Sequence, residues 1–141
     1  MNGRRWLLVW LSCLPALLGA SGSAGAADFD GSQKLLCVPV EVQECTVGEG
    51  CERTTVDAVN LPQFIRVDFK KKTLNGTTPD GRSESTAIQN VQTREGDKTI
   101  LQGADGPRAW SIVIDQATGK MSASVSDNST GFVVFGACTA R

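Results

Sequence analysis

Residues 108–126 read RAWSIVIDQATGKMSASVS, and this stretch carries the clearest structural signal in the chain. Its apolar residues stand at every second position, first Trp110, Ile112 and Ile114, then Met121, Ala123 and Val125. Such alternation is typical of strands with one buried face. Gly119 ends the interruption at 116–119 and can adopt the left-handed conformation that a four-residue loop needs. The stretch therefore predicts a β-hairpin.

The same alternation recurs along the chain, and no window after residue 26 has the apolar spacing of an amphipathic helix. Turn-forming clusters of Gly, Asn, Asp and Pro separate eight candidate strands: 34–42, 54–59, 64–69, 86–93, 98–102, 108–115, 120–126 and 131–137. We therefore predict an all-β fold of about eight short antiparallel strands, closed as a single small barrel or folded as a sandwich.

Three local features refine this prediction. Pro39 lies inside the first candidate strand, which favours an edge position or a bulge, because proline has no N–H to donate. Asn75-Gly76 reads as the start of a turn-rich stretch that ends at Asp80-Gly81. The run from Phe132 to Phe135 is apolar without alternation, as expected of a strand that is covered on both faces or that closes a barrel.

Residues 1–26 have the three parts of a secretory signal peptide. Arg4 and Arg5 form the basic start, residues 6–18 the apolar run, and Ala24-Gly25-Ala26 the small-residue end. The apolar run is shorter than the roughly 20 residues of a membrane span. We expect cleavage after Ala26, which leaves residues 27–141 as a single β domain with a periplasmic or secreted location and no membrane span. Acylation of Cys13, as in a lipoprotein, is the alternative.

Four of the five cysteines follow the leader, and such an even number in an exported chain predicts disulfides. Three pairings are possible. We favour Cys45 with Cys51, because five residues between them can form a hairpin loop, and this choice leaves Cys37 with Cys138. The second bond would fasten the first strand to the last.

The chain contains no histidine, so the usual general base and the commonest metal ligand are both absent. The cysteine spacings do not form Cys-x-x-Cys pairs. Asp28-Phe29-Asp30-Gly31 resembles the start of a calcium loop, but Pro39 occupies the twelfth position, which requires glutamate. We therefore predict no metal, no cofactor and no catalytic residue, and we expect residues 28–31 to be a flexible N-terminus.

Binding is the function that these features favour: a non-catalytic domain for a small molecule, an envelope component or a protein. Arg108 and Trp110 share a strand face and are the candidate ligand-binding residues, as a stacking platform at the mouth of a barrel. The alternative is structural, with Trp110 packed in the core against Met121 and Arg108 capping it. After loss of Arg4 and Arg5 from 14 basic residues, all 15 acidic ones remain, and the net charge of −3 argues against nucleic acid as a partner.

A carboxylate-dependent hydrolase of envelope sugars is a second hypothesis. Such enzymes use two carboxyl groups about 5 to 9.5 Å apart in one cleft. Four carboxylates are candidates, although no spacing singles out a pair: Glu84, Glu95, Asp105 and Asp115.

Several segments together resemble small exported proteins of Gram-negative bacteria that have no assigned function. These segments are 30–32, 61–64, 101–103, 108–111, 118–122 and 132–139, which span most of the mature chain. This resemblance implies a periplasmic location and no particular activity.

The chain is also similar, to a smaller degree, to the periplasmic lysozyme inhibitors. These are small β-barrels with a disulfide near the C-terminus and a Ser-Ala-Ser-Gly type run in the inhibitory loop. Residues 122–125 read Ser-Ala-Ser-Val, lack the glycine and fall on a predicted strand, and the chain has no tyrosine. This resemblance implies lysozyme inhibition as a third hypothesis.

Overall fold

A computed structural model describes residues 28–94 and 97–141. The signal peptide predicted at residues 1–26, and Cys13 within it, lie outside the described residues. The described chain forms ten β-strands and no helix. The strands are β1 (Leu35–Thr46), β2 (Gly50–Thr54), β3 (Ile65–Asp68), β4 (Thr73–Thr77), β5 (Ser83–Ala87), β6 (Asn90–Thr93), β7 (Lys98–Asp105), β8 (Arg108–Asp115), β9 (Lys120–Ser126) and β10 (Thr130–Ala140).

All ten strands belong to one antiparallel sheet in the order β5-β4-β3-β1-β10-β9-β8-β7-β6, and β2 pairs with β1 beside β3. The sheet curls until its two ends approach each other. The Thr86 hydroxyl of β5 donates to the Ala104 carbonyl of β7 at 3.3 Å, and the Gln89 N–H donates to the Gln102 carbonyl at 2.9 Å. The all-β, barrel-like prediction is thus confirmed, with ten strands rather than about eight.

The curled sheet encloses one hydrophobic core. Apolar side chains from strands across the whole sheet meet there, because alternate residues of each strand point to the inner face. The least exposed of them are Leu35, Cys37, Val42, Val67, Leu101 and Ile114.

The strand predicted at 54–59 is wrong. β2 ends at Thr54, and residues 56–60 form turns in which the Thr55 hydroxyl accepts from the Ala58 N–H at 3.1 Å. Asn60 then adopts a left-handed conformation with φ of 51°. A threonine side chain that bonds to nearby backbone favours a turn, and this local bonding outweighs the apolar alternation at 54–59.

The turn expected at Asn75-Gly76 is also wrong, because both residues lie inside β4. Pro62 packs against the backbone at Gly76, and a Cβ there would lie 2.6 Å from the Pro62 Cβ. Glycine inside a strand often marks such a close approach. The turn itself follows at residues 78–82, where the Thr78 N–H donates to the Arg82 carbonyl at 2.9 Å.

Pro39 lies where β1 is unpaired on one side. β3 pairs only with residues 35–37 and β2 only with residues 42–46, so residues 38–41 lie between the two partners. On the other side, the register with β10 shifts between Pro39 and Glu41. The structure therefore has both features that the proline predicted, a local edge and a bulge.

The strand from Phe132 to Phe135 is not covered on both faces, which was the first of the two alternatives expected for it, and lies in β10, which pairs with β1. Val134 points into the core and is buried, whereas Val133 and Phe135 point outward and are exposed. An exposed Val38 lies on the neighbouring strand β1. In the part of the chain that the structure describes, no second layer covers this outer surface.

Residues 28–31 are hydrogen-bonded to the barrel rather than free. The Phe29 carbonyl accepts from the hydroxyl of the buried Thr99 at 2.6 Å, and the Asp30 carbonyl accepts from the Thr93 hydroxyl at 3.2 Å. A Cβ at Gly119 would lie 2.7 Å from the Phe29 ring. The segment therefore packs against the end of the sheet that carries the β8–β9 turn, and the flexible N-terminus expected there is wrong.

The hairpin of β8 and β9 forms as predicted, and Gly119 has φ of +70°. Asp115 organises its turn, since its carboxylate accepts from the Thr118 N–H and the Thr118 hydroxyl, both at 2.8 Å. Lys98 Nζ lies 2.9 Å from Asp115 Oδ2. Lys98 and then Thr118 lower the pKa of Asp115 from 3.8 to about 2, because both stabilise the charged carboxylate.

This depressed pKa predicts a loss of stability in acid. Asp115 contributes to the free energy of unfolding at pH values above its unfolded pKa of 3.8, and this contribution is lost as the pH falls through its folded pKa of about 2. We expect the titration midpoint of the Asp115 carboxyl, followed by NMR, to lie near pH 2 and to move upward in Lys98→Gln. A midpoint near 3.8 in the unchanged protein would contradict the ion pair.

Two disulfides cross-link the sheet, and they join the favoured pairs, Cys37 with Cys138 and Cys45 with Cys51. Each bond joins residues directly opposite in neighbouring strands. The first lies in the core and links β1 to β10, whereas the second spans the hairpin of β1 and β2. No helix that could cross a membrane occurs in the part of the chain that the structure describes.

Candidate functional site

A cavity of about 170 Å³ lies within the curled sheet, toward the end that carries the β4–β5 and β7–β8 turns. Its wall is mostly apolar and includes Ile65, Leu74, Ile112, Met121, Ala123 and Val134. These residues come from β3, β4, β8, β9 and β10, whose inward faces meet there. Leu61 and Pro62, from the loop before β3, complete the wall.

Polar side chains lie where the cavity meets solvent. Three charged residues of its lining are exposed: Glu84 near the start of β5, Asp105 at the end of β7 and Arg108 at the start of β8. Arg108 Nε lies 3.8 Å from Asp127 Oδ2, outside the lining. The Asp127 pKa is lowered, first by the N–H groups of the turn residues Ser129 and Thr130 and to a smaller extent by Arg108. The charged groups therefore surround an apolar interior without entering it.

Arg108 and Trp110, the predicted ligand-binding residues, both line this cavity. They occupy different depths, because Arg108 is exposed at the mouth whereas Trp110 is only 8% exposed. Trp110 also belongs to the core cluster that includes Met121, as the structural alternative predicted. The two interpretations are compatible, since a core side chain can form the wall of a cavity.

The Trp110 indole has an unusual polar environment. Among the described residues, its Nε1 is the one buried side-chain nitrogen or oxygen without a hydrogen-bond partner. Buried polar groups are normally paired, and an unpaired donor costs about 1–3 kcal/mol.

Gly103 of β7 makes room for the indole. It pairs with Trp110 across the β7–β8 ladder, and a Cβ at Gly103 would overlap the six-membered ring of the indole. The same Cβ would lie 2.6 Å from the Ala87 carbonyl oxygen at the end of β5. Because Gly103 has no side chain, the Trp110 indole can lie across β7 toward Ala87 of β5.

The candidate carboxylates for hydrolysis are only partly brought together. Glu84 and Asp105 line the same cavity, whereas Asp115 lies at the far end of β8 in its ion pair with Lys98. Glu95 lies outside the described residues. Glu84 and Asp105 are both exposed, and Glu84 Oε1 is 3.9 Å from an Arg82 guanidinium nitrogen. The hydrolase hypothesis stays a prediction.

Two further sequence features can be placed in the structure. Residues 122–125, the run compared with lysozyme inhibitors, lie within β9. Among residues 28–94 and 97–141, no group of three or more Cys, Asp and Glu side chains has an arrangement that could hold a metal ion.

The part of the wall formed by Leu61, Pro62 and Leu74 was not predicted, because strand β4, which carries Leu74, was not predicted and the other two residues lie in a loop. Glycines inside strands, at Gly76 and Gly103, were the available signal, since each marks a place where a ring packs against backbone.

The fold and the cavity place the chain among small, disulfide-bonded, all-β proteins with an interior pocket in a curled sheet. Comparison with models of known protein families and with curated proteins found no match.

Proposed function

We propose that this protein is an exported, non-catalytic binding module that holds a small apolar molecule, or the apolar end of a larger one, inside its curled sheet. The observation that carries this proposal is the apolar cavity of about 170 Å³ that opens beside Arg108. An engineered apolar cavity of roughly 150 Å³ binds benzene, so this volume suits a group of similar size. Drug-sized ligands need about 300 Å³ or more.

The two disulfides support the exported location, periplasmic or secreted. Such bonds persist in oxidising compartments and are rare in the cytosol. They also support a binding role, because covalent links from β1 to β10 and to β2 hold the sheet in a preformed curl. When a site is preformed, no binding free energy is spent on ordering the protein chain.

Filling the cavity tests this function. Ala123 lies on the inward face of β9 and lines the cavity between Met121 and Val125. We expect Ala123→Leu to weaken the binding of toluene at least about tenfold, measured by titration calorimetry, because three added carbon atoms occupy the space.

Ser122→Leu is the matched control, since residue 122 is next to Ala123 in the same strand but does not line the cavity. This variant should bind toluene as the unchanged protein does. Failure of the unchanged protein to bind toluene, or equal binding by Ala123→Leu, would refute the proposed site. A thermal melt of each variant verifies that it is folded.

A further inference from the structure

The chemical class of the ligand follows from the polar groups of the cavity, and this inference rests on the proposed function. We infer that the ligand is a small, uncharged molecule with a hydrogen-bond acceptor, such as a ketone, ether or heteroaromatic nitrogen, which accepts from Trp110 Nε1. Two independent observations lead to it. The cavity is lined by Trp110, and the Nε1 of the same side chain is buried and has no hydrogen-bond partner among residues 28–94 and 97–141.

None of the described residues supplies the missing acceptor. The buried part of the lining consists of apolar residues that include Ile112, Met121 and Val134. An indole N–H can only donate, so it selects for an acceptor on the ligand.

The charge distribution favours a neutral acceptor over an anionic one. Arg108 is the one cation among the lining residues, and it is exposed at the mouth within 3.8 Å of Asp127. Glu84 and Asp105 line the cavity with it, so the lining carries one net negative charge. Burying an anion beside Trp110 without a cationic partner is strongly unfavourable, whereas a neutral acceptor needs a single hydrogen bond.

Two matched probes distinguish the effect of a hydrogen-bond acceptor on binding from the effect of the apolar ring. Cyclohexanone and methylenecyclohexane have the same number of heavy atoms, and only the ketone accepts a hydrogen bond. The chain offers two NMR reporters, because Met121 is one of two methionines and Trp110 is one of three tryptophans. In the full chain with Trp6→Phe and Trp10→Phe, the indole N–H signal belongs to Trp110 alone.

The inference predicts that both probes shift the Met121 methyl signal and that the ketone alone moves the Trp110 Nε1 proton downfield. Trp110→Phe should lower the ratio of ketone affinity to hydrocarbon affinity about tenfold while hydrocarbon binding persists.

The possible failures are distinguishable. If both probes shift Met121 but affect the indole N–H equally, the acceptor inference is wrong and the proposed cavity function stands. If neither probe shifts Met121, the proposed function fails, and the inference fails with it. If Trp110→Phe does not fold, the spectra of the protein that retains Trp110, recorded with each of the two probes, are sufficient to test the acceptor inference.

Discussion

Replacing Cys37 and Cys138 by alanine should lower the free energy of unfolding by about 4 to 5 kcal/mol, the largest effect that we expect of any change in this protein. The bond closes a loop with a sequence separation of 101 residues. The chain-entropy treatment assigns about 4.7 kcal/mol to a loop of about 100 residues, because the cross-link restricts the unfolded chain. Both sulfur atoms also lie in the core, where their loss removes packing contacts.

The second disulfide is the matched control. Cys45 and Cys51 are separated by only 6 residues, so the same treatment assigns their bond about 2 kcal/mol. Urea unfolding of Cys37→Ala/Cys138→Ala and of Cys45→Ala/Cys51→Ala, without reductant, compares the two losses directly. An equal or greater loss in the short-loop variant would show that loop length does not determine the stabilisation.

Gly103→Ala should lower the free energy of unfolding by about 1–3 kcal/mol, although it adds a single methyl group. That methyl would overlap the Trp110 ring and lie 2.6 Å from the Ala87 carbonyl oxygen. Neither neighbour is a flexible chain end, so the sheet or the indole must shift, and overpacking of this kind costs about that much. Urea unfolding gives the loss, and a change in Trp110 fluorescence reports displacement of the indole.

Gly131→Ala is the control for this substitution. Gly131 also lies in a strand, but a Cβ there would be 3.9 Å from the nearest atom, the Ser126 Cβ, at ordinary van der Waals distance. The free energy of unfolding of Gly131→Ala should differ from that of the unchanged protein by no more than about 0.5 kcal/mol. If the two alanine variants lose equal stability, the cost does not arise from the contact with Trp110.

Part of the candidate site could be predicted from the sequence. Arg108 and Trp110 were identified because alternation in one strand places them on the same face, a property that depends only on spacing along the chain. Leu74 and Pro62 were not identified, because their place in the same cavity wall depends on segments far from Trp110 in the sequence. The missing acceptor for Trp110 Nε1 could not be predicted either, since hydrogen-bond partners depend on what folding brings near.

The all-β class and the hairpin of residues 108–126 follow from the order of residues along the chain, and loop length favours the cysteine pairs now seen bonded, because alternation, turn chemistry and loop length are properties of neighbouring residues. Folding, in contrast, places Asn75-Gly76 in a strand rather than a turn, directs Phe135 outward and leaves a cavity beside Trp110. These features depend on contacts between distant segments. Packing of Pro62 on Gly76, for example, overrides the local preference of Asn-Gly for a turn.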